Sequence, residues 1–142
     1  MNDFLVTVKP AFAFLVQDRG YELLDEDVAD SFDNGLLIYQ SGTLRIGVTR
    51  DRCQVLCNVR ARGDYRDIDE EILRLLLDGA RHYPREAPRA DFRPAAVAGF
   101  LREHLTAIEH LFSPTALAET LRTAKVLQGE RAELLFGWGR EA

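Results

Sequence analysis

Between Leu36 and Ala61 the chain alternates between apolar and polar positions. Leu44, Ile46 and Val48 fall on one side of an extended run, while Thr43, Arg45, Gly47 and Thr49 fall on the other. Val55, Cys57 and Val59 repeat the pattern against Gln54, Leu56, Asn58 and Arg60. Period-two alternation marks a strand with one buried face. Ser41-Gly42 and Arg50-Asp51-Arg52 divide the stretch into three runs. Polar breaks of that length between alternating runs are hairpin signals. The stretch therefore predicts a three-stranded antiparallel meander with an apolar core face. Its polar face carries Arg45, Gln54, Asn58 and Arg60. Antiparallel sheets often leave one face wet, so plain solvation accounts for those residues, and a recognition surface is the functional alternative.

Helical patterns flank the meander. Asp3 is placed to cap a first helix running to about Arg19, with Leu5, Val8, Phe12, Leu15 and Val16 near one stripe. An interior proline costs roughly 3 kcal/mol, so Pro10 either kinks this helix or stands in the first turn of a later one. Gly20 reads as its stop. A short strand, Tyr21 to Leu24, leads into an acidic loop holding Asp25, Glu26, Asp27, Asp30 and Asp33. A further short strand fits Val28 to Phe32, and Asn34-Gly35 forms a turn.

Beyond the meander, Arg62-Gly63-Asp64 is a turn. A second helix spans about Asp69 to Asp78, with Asp69 as N-cap and Ile68 and Leu73 as a hydrophobic staple. Leu75, Leu76 and Leu77 mark it as well buried, and Gly79 stops it. From Arg81 to Arg93 arginines recur at a helical interval, yet Pro84 and Pro88 exclude a regular helix. An irregular basic loop anchored by Tyr83 and Phe92 is expected. Pro94 opens a third helix to about Phe112, with Val97, Phe100, Leu101, Leu105, Ile108 and Leu111 on its apolar face. His104 lies in that stripe and reads as a core histidine. Ser113-Pro114 signals the start of a last helix, using Leu117, Leu121, Ala124 and Leu127, which Gly129 bends or breaks. Trp138 either caps the core or docks on a neighbour. Together these elements predict one α+β domain over residues 1–142: an antiparallel β-meander of three to five strands packed against an N-terminal helix and C-terminal helices.

Charge changes this picture more than composition does. The chain carries a net charge of −5, but unevenly. Residues 1–42 hold two basic and eight acidic groups, whereas residues 43–66 hold six basic and two acidic ones. Residues 67–80 are acidic again, and residues 81–102 basic. Such segregation suits complementary docking and suits internal neutralisation equally well. The negative total argues against nucleic acid as a general partner, leaving RNA contact through Arg45, Arg50, Arg52, Arg60, Arg62 and Arg66 as a weaker option. No apolar run approaches the roughly 20 residues of a membrane span. Asp3, Lys9 and Pro10 interrupt the N-terminal apolar residues, so no signal peptide or membrane association is expected, and the cytoplasm is the expected location. Lysine occurs only at Lys9 and Lys125, an arginine bias that points to a GC-rich bacterial source.

Candidate chemistry is sparse. Cys53 and Cys57, four apart on one expected strand, would stand about 13 Å apart. That is too far for a disulfide, so both read as small buried thiols. Ser31, Ser41 and Ser113 fall in a loop, a turn and a cap, and His104 and His110 lie on different helix faces. No nucleophile elbow, phosphate loop or zinc motif occurs, and the acidic loop lacks EF-hand spacing. No catalytic residue, metal or cofactor is expected. The binding candidates are Arg45 and Arg60 on the meander, Arg81, His82, Tyr83 and Arg85 in the basic loop, and Asp25, Asp27 and Asp30 in the acidic one. Arginine forks suit carboxylate or phosphate groups, so a small anionic ligand, an enzyme's substrate included, is one occupant. Another protein is the favoured partner, and a second copy of the chain is a further candidate.

Gly20-Tyr21, Gly35-Leu36, Leu44-Arg45, Asp51-Arg52 before an alternating strand, and Leu134-Leu135-Phe136-Gly137 closing a C-terminal helix form a set of short motifs along the chain. In these it resembles a group of small bacterial α+β proteins of unknown function. Some proteins of this size and acidity are similar to immunity proteins of bacterial toxin systems. The resemblance transfers no site residue; the acidic loop, the charge segregation and the missing catalytic set point to a non-enzymatic interaction module, of which an immunity-type inhibitor is one form.

Overall fold

The structure is a computed structural model, described here over residues 4–28, 34–86 and 90–137. Five strands form one antiparallel sheet in chain order: β1 (Glu22–Val28), β2 (Gly35–Gln40), β3 (Leu44–Asp51), β4 (Gln54–Ala61) and the two-residue β5 (Ile68–Asp69). The three alternating runs are β2, β3 and β4, in the expected pairing. Tyr39 stands opposite Ile46, which stands opposite Val59; Leu37 faces Val48, which faces Cys57. These side chains are all buried, so the period-two pattern sets the register.

Five helical segments complete the α+β fold: α1 (Lys9–Ala11), α2 (Phe14–Gln17), α3 (Glu70–Leu77), α4 (Pro94–Leu111) and α5 (Leu117–Phe136), with a π-helical turn, Phe4–Val8, ahead of α1. Val97, Leu101, Leu105 and Ile108 of α4 join the core under the sheet, with Ile72 and Leu73 of α3 and Ala124 and Leu127 of α5. The N-terminal segment is not one helix. Pro10 falls in the first turn of α1, and the chain turns at Phe12 before α2. Phe4, Val8, Phe12, Phe14 and Leu15 all reach the core. Gly20 ends the segment at φ +72, a conformation glycine adopts without strain.

Several expectations are corrected. Asp25, Glu26 and Asp27 belong to β1, opposite Ile38, Leu37 and Leu36, and not to a loop. Ladder hydrogen bonds to β2 override the poor strand preference of aspartate, and a register shift between Leu23 and Asp25 absorbs the mismatch. Cys53 is exposed in the β3–β4 turn, where Arg52 and Cys53 have φ of 50 and 71. Positive φ at both central positions is the mark of a type I′ hairpin turn, so the turn removes Cys53 from the strand, while Cys57 is buried as expected. The last helix begins at Leu117. Ser113 does not cap it with its side chain: its hydroxyl donates to the His110 carbonyl at 2.7 Å, closing α4, and its own carbonyl accepts from Ala116 and Leu117. Gly129 does not interrupt α5. Leu75, Leu76 and Leu77 are partly buried, and His104 is half-exposed rather than in the core. Asp3, Asp30, Asp33, Pro88, Arg89 and Trp138, and all but Val28 of the strand expected at Val28 to Phe32, lie outside the described residues.

Candidate functional site

Alternation puts the other half of each strand on the face away from the helices. Across β2, β3 and β4 it runs in rows: Gln40, Arg45 and Arg60; Ile38, Gly47 and Asn58; Leu36, Thr49 and Leu56. β1 extends the rows with Glu22, Asp25 and Asp27. Four of the candidate residues, Arg45, Arg60, Asp25 and Asp27, therefore share one surface. Acidic groups occupy its β1 edge, apolar Leu36 and Ile38 its middle, and the two arginines its far side. Arg45 donates to Gln40 Oε1 through Nε at 3.2 Å and Nη2 at 3.0 Å. Arg60 approaches Asp67 at 3.9 Å. A shallow groove of about 140 Å³ runs between these side chains over Gly47. A β-carbon at position 47 would meet nothing within 4 Å. The groove is too small for a metabolite-sized ligand.

The basic loop serves a different purpose. Tyr83 donates its backbone N–H to Glu130 Oε1 at 2.8 Å and its hydroxyl to Glu71 Oε2 at 3.1 Å. His82 Nδ1 lies 3.0 Å from Glu130 Oε2. Arg131 donates to both oxygens of Asp69, at 2.8 and 3.0 Å, and to Glu71 at 2.9 Å. Hydrogen bonds from His82 and the Tyr83 amide hold the Glu130 carboxyl below its usual range. Burial and the bond to Glu71 raise the Tyr83 phenol. The loop is thus pinned to α3 and α5. Its exposed Arg81 and Arg85 are not brought together with Arg45 and Arg60 by any contact among the described residues. Glu130 and Arg131, about 50 to 60 positions away in the chain, carried no local signal of this role.

A second concavity, of about 660 Å³, opens between the outer edge of β4, α3, residues 90–92 and the middle of α4. Val55, Leu56, Leu75, Leu77, Phe92 and Phe100 supply apolar wall, and Asp69, Glu70, Glu71, Arg74, Asp78, Asp91 and His104 supply polar groups. The Val55 amide bonds the Phe92 carbonyl at 2.9 Å, which fixes the 90–92 segment against β4. Glu70 accepts from Arg74 Nε at 3.0 Å, an i,i+4 pair legible in the sequence. The Arg74 guanidinium lies 4.3 Å from the Phe100 ring centroid, and the His104 ring 5.1 Å from it on a tilted plane. Sequence reading placed Phe100 in the core and gave Glu70 and Arg74 no role, because their meeting depends on how α3 packs on α4.

Nucleophilic chemistry is disfavoured in this cleft. The Cys57 Sγ stands 3.9 Å from Glu70 Oε1. Burial pushes the thiol far above its ordinary pKa, with the nearby Glu70 charge adding to the effect. Burial likewise raises the Glu70 carboxyl. A thiol that stays protonated is a poor nucleophile. Among the described residues no group of three or more His, Cys, Asp or Glu side chains could hold a metal ion, and no helix is long and apolar enough to cross a membrane. No family model, curated protein sequence or solved structure matches the chain.

Proposed function

We propose that this chain is a protein-interaction module that docks a partner protein on the uncovered face of its sheet. One observation carries the reading: among the described residues the helices pack on a single face, and the other is ordered from acidic β1 through Leu36 and Ile38 to Arg45 and Arg60. Exposed Leu56, in the same row as Leu36, adds apolar surface to it. The fitting partner presents an apolar strip with basic groups at one end and acidic groups at the other. Such charge order selects partners and speeds encounter, while the apolar middle supplies the area that a stable interface of at least about 1,000 Å² requires. An immunity-type inhibitor of a bacterial toxin is one form of this role. The alternative, an anion site built from arginines, has less support: Arg45 already donates to Gln40, Arg60 stands 3.9 Å from Asp67, and no contact among the described residues brings Arg81 and Arg85 to them.

A photo-crosslinking amino acid at position 38, with position 125 on α5 as control, tests the reading in cells of the source organism. A partner captured from position 38 alone, and lost when Arg60→Glu is added, is the expected result. Equal capture from both positions, or none from position 38, sinks the idea. An adduct of twice the chain's mass identifies the partner as a second copy.

A further inference from the structure

The cleft between β4 and α3 meets the sheet face at Leu56 and Asn58, but its chemistry points to a different kind of occupant. We propose that it binds a small organic cation: an apolar aryl or alkyl body carrying one protonated amine or guanidinium. At about 660 Å³ the cleft falls in the range of small-molecule sites. Its wall is mostly apolar, which suits the body of such a ligand.

The polar groups choose the charge. Among the lining side chains five carboxylates face one permanent cation, Arg74. Arg131 pairs with both Asp69 and Glu71, leaving one negative charge in excess, and Arg93 pairs with Asp91. Arg74 pairs with Glu70, and the Asp78 carboxylate adds to the negative lining. An anion entering here would meet carboxylates, whereas a cation meets a half-buried one, Glu70, beside an aromatic face, Phe100.

The protein already fills that position with a cation of its own. The Arg74 guanidinium rests over Phe100 and donates to Glu70, the combination of ring face and carboxylate that attracts an organic cation. Half of the Arg74 side chain is exposed to solvent, so this resident group can swing outward. A ligand whose apolar body fills the cleft places its own cation between Phe100 and Glu70 and releases Arg74 to water. Asp78, at the rim, adds attraction along the entry path.

Calorimetric titration of the full chain with 4-phenylbutylamine, 4-phenylbutanol and 4-phenylbutanoate, with amide NMR shifts to locate binding, tests the proposal. The amine is expected to bind saturably and to shift the amides of Leu75, Phe100 and His104. The alcohol should bind about tenfold more weakly, the worth of a charge-assisted hydrogen bond, and the carboxylate more weakly still. Arg74→Met, which keeps the apolar stem and removes the resident cation, should tighten amine binding several-fold. Glu70→Gln should erase the difference between amine and alcohol. Asp78→Asn, an exposed change that leaves the core untouched, should weaken amine binding by a smaller factor and covers the case in which Glu70→Gln does not fold. Equal binding of amine and alcohol overturns the proposal. So do weaker amine binding by Arg74→Met, shifts confined to residues outside the cleft, and no binding by either wild type or Arg74→Met at millimolar amine.

Discussion

β2, β3 and β4 present two faces that are held by different forces. On one, Leu37, Tyr39, Leu44, Ile46, Val48, Val55 and Val59 are essentially inaccessible to water. On the other, Leu36, Ile38, Arg45, Thr49, Asn58 and Arg60 are only partly covered. Arg45 and Ile46 are chain neighbours on opposite faces. Ile46 is secured by close-packed apolar neighbours, where any lost volume leaves a void. Arg45 is secured sideways by Gln40, in contact with water, where a lost bond is replaced by solvent. The contrast teaches that the buried face carries the stability, which leaves the open face free to vary and to bind.

Truncating the two neighbours breaks the comparison most directly. Ile46→Ala should lose about 2–5 kcal/mol in urea unfolding, the usual cost of emptying a core site. Matching stabilities for Ile46→Ala and wild type would mean that the face is not the core.

The helical side offers the next largest effect. Arg131→Met removes the cation shared by Asp69 and Glu71. It should cost about 1–2 kcal/mol, below the figure for a fully buried pair because water reaches this one. Hydrogen exchange should rise together in α3 and in residues 80–86, since α5 pins both. A change confined to α5 would contradict that link.

Alkaline pH probes the buried face through its tyrosines. Burial, with the Glu26 charge adding to it, pushes the Tyr39 phenol up to about 12. Burial and a 2.8 Å bond to Glu109 push Tyr21 up as well. Both phenols ionise more readily in the unfolded chain. Their contribution is therefore intact below about pH 10, the unfolded value, and is lost as pH rises toward the folded one. Urea midpoints measured between pH 9 and about pH 12 should fall, and Tyr39→Phe should flatten part of that fall. An unchanged slope in the variant would assign the fall elsewhere.

Arg45→Ala is the smallest expected effect, within about 0.5 kcal/mol of wild type. A larger loss would mean that the open face also carries stability and is less free to serve as a docking surface.

Much of the fold was legible because it follows from local rules. The alternation of Leu44 to Thr49 and Val55 to Arg60 could satisfy only one register, and Gly20 and Gly79 stand where a left-handed φ of 72 and 75 is needed. The errors fell where neighbours in space outvoted neighbours in sequence. Asp25 to Asp27 reads as loop by composition, yet β2 offers it a ladder. Ser113-Pro114 reads as a helix start, yet the serine is engaged with the end of α4. Alternation puts Arg45 and Arg60 on one face, but Asp25 and Asp27 stand out by charge alone, and nothing local says that they join that face. The cleft was not legible as a whole: Glu70 and Arg74 are an i,i+4 pair, but Phe100 and Asp91 join them only when α4 and residues 90–92 close against α3 and the edge of β4.

The sequence by itself determined the class, the central meander and the face of each strand that is buried. Those depend on side-chain periodicity, which each short stretch enforces on its own. The tertiary structure alone decided which polar groups meet across distant elements and where a cavity remains. Those depend on contacts spanning about 50 to 90 positions of chain, such as Arg131 with Asp69 and Tyr21 with Glu109, which no local pattern encodes.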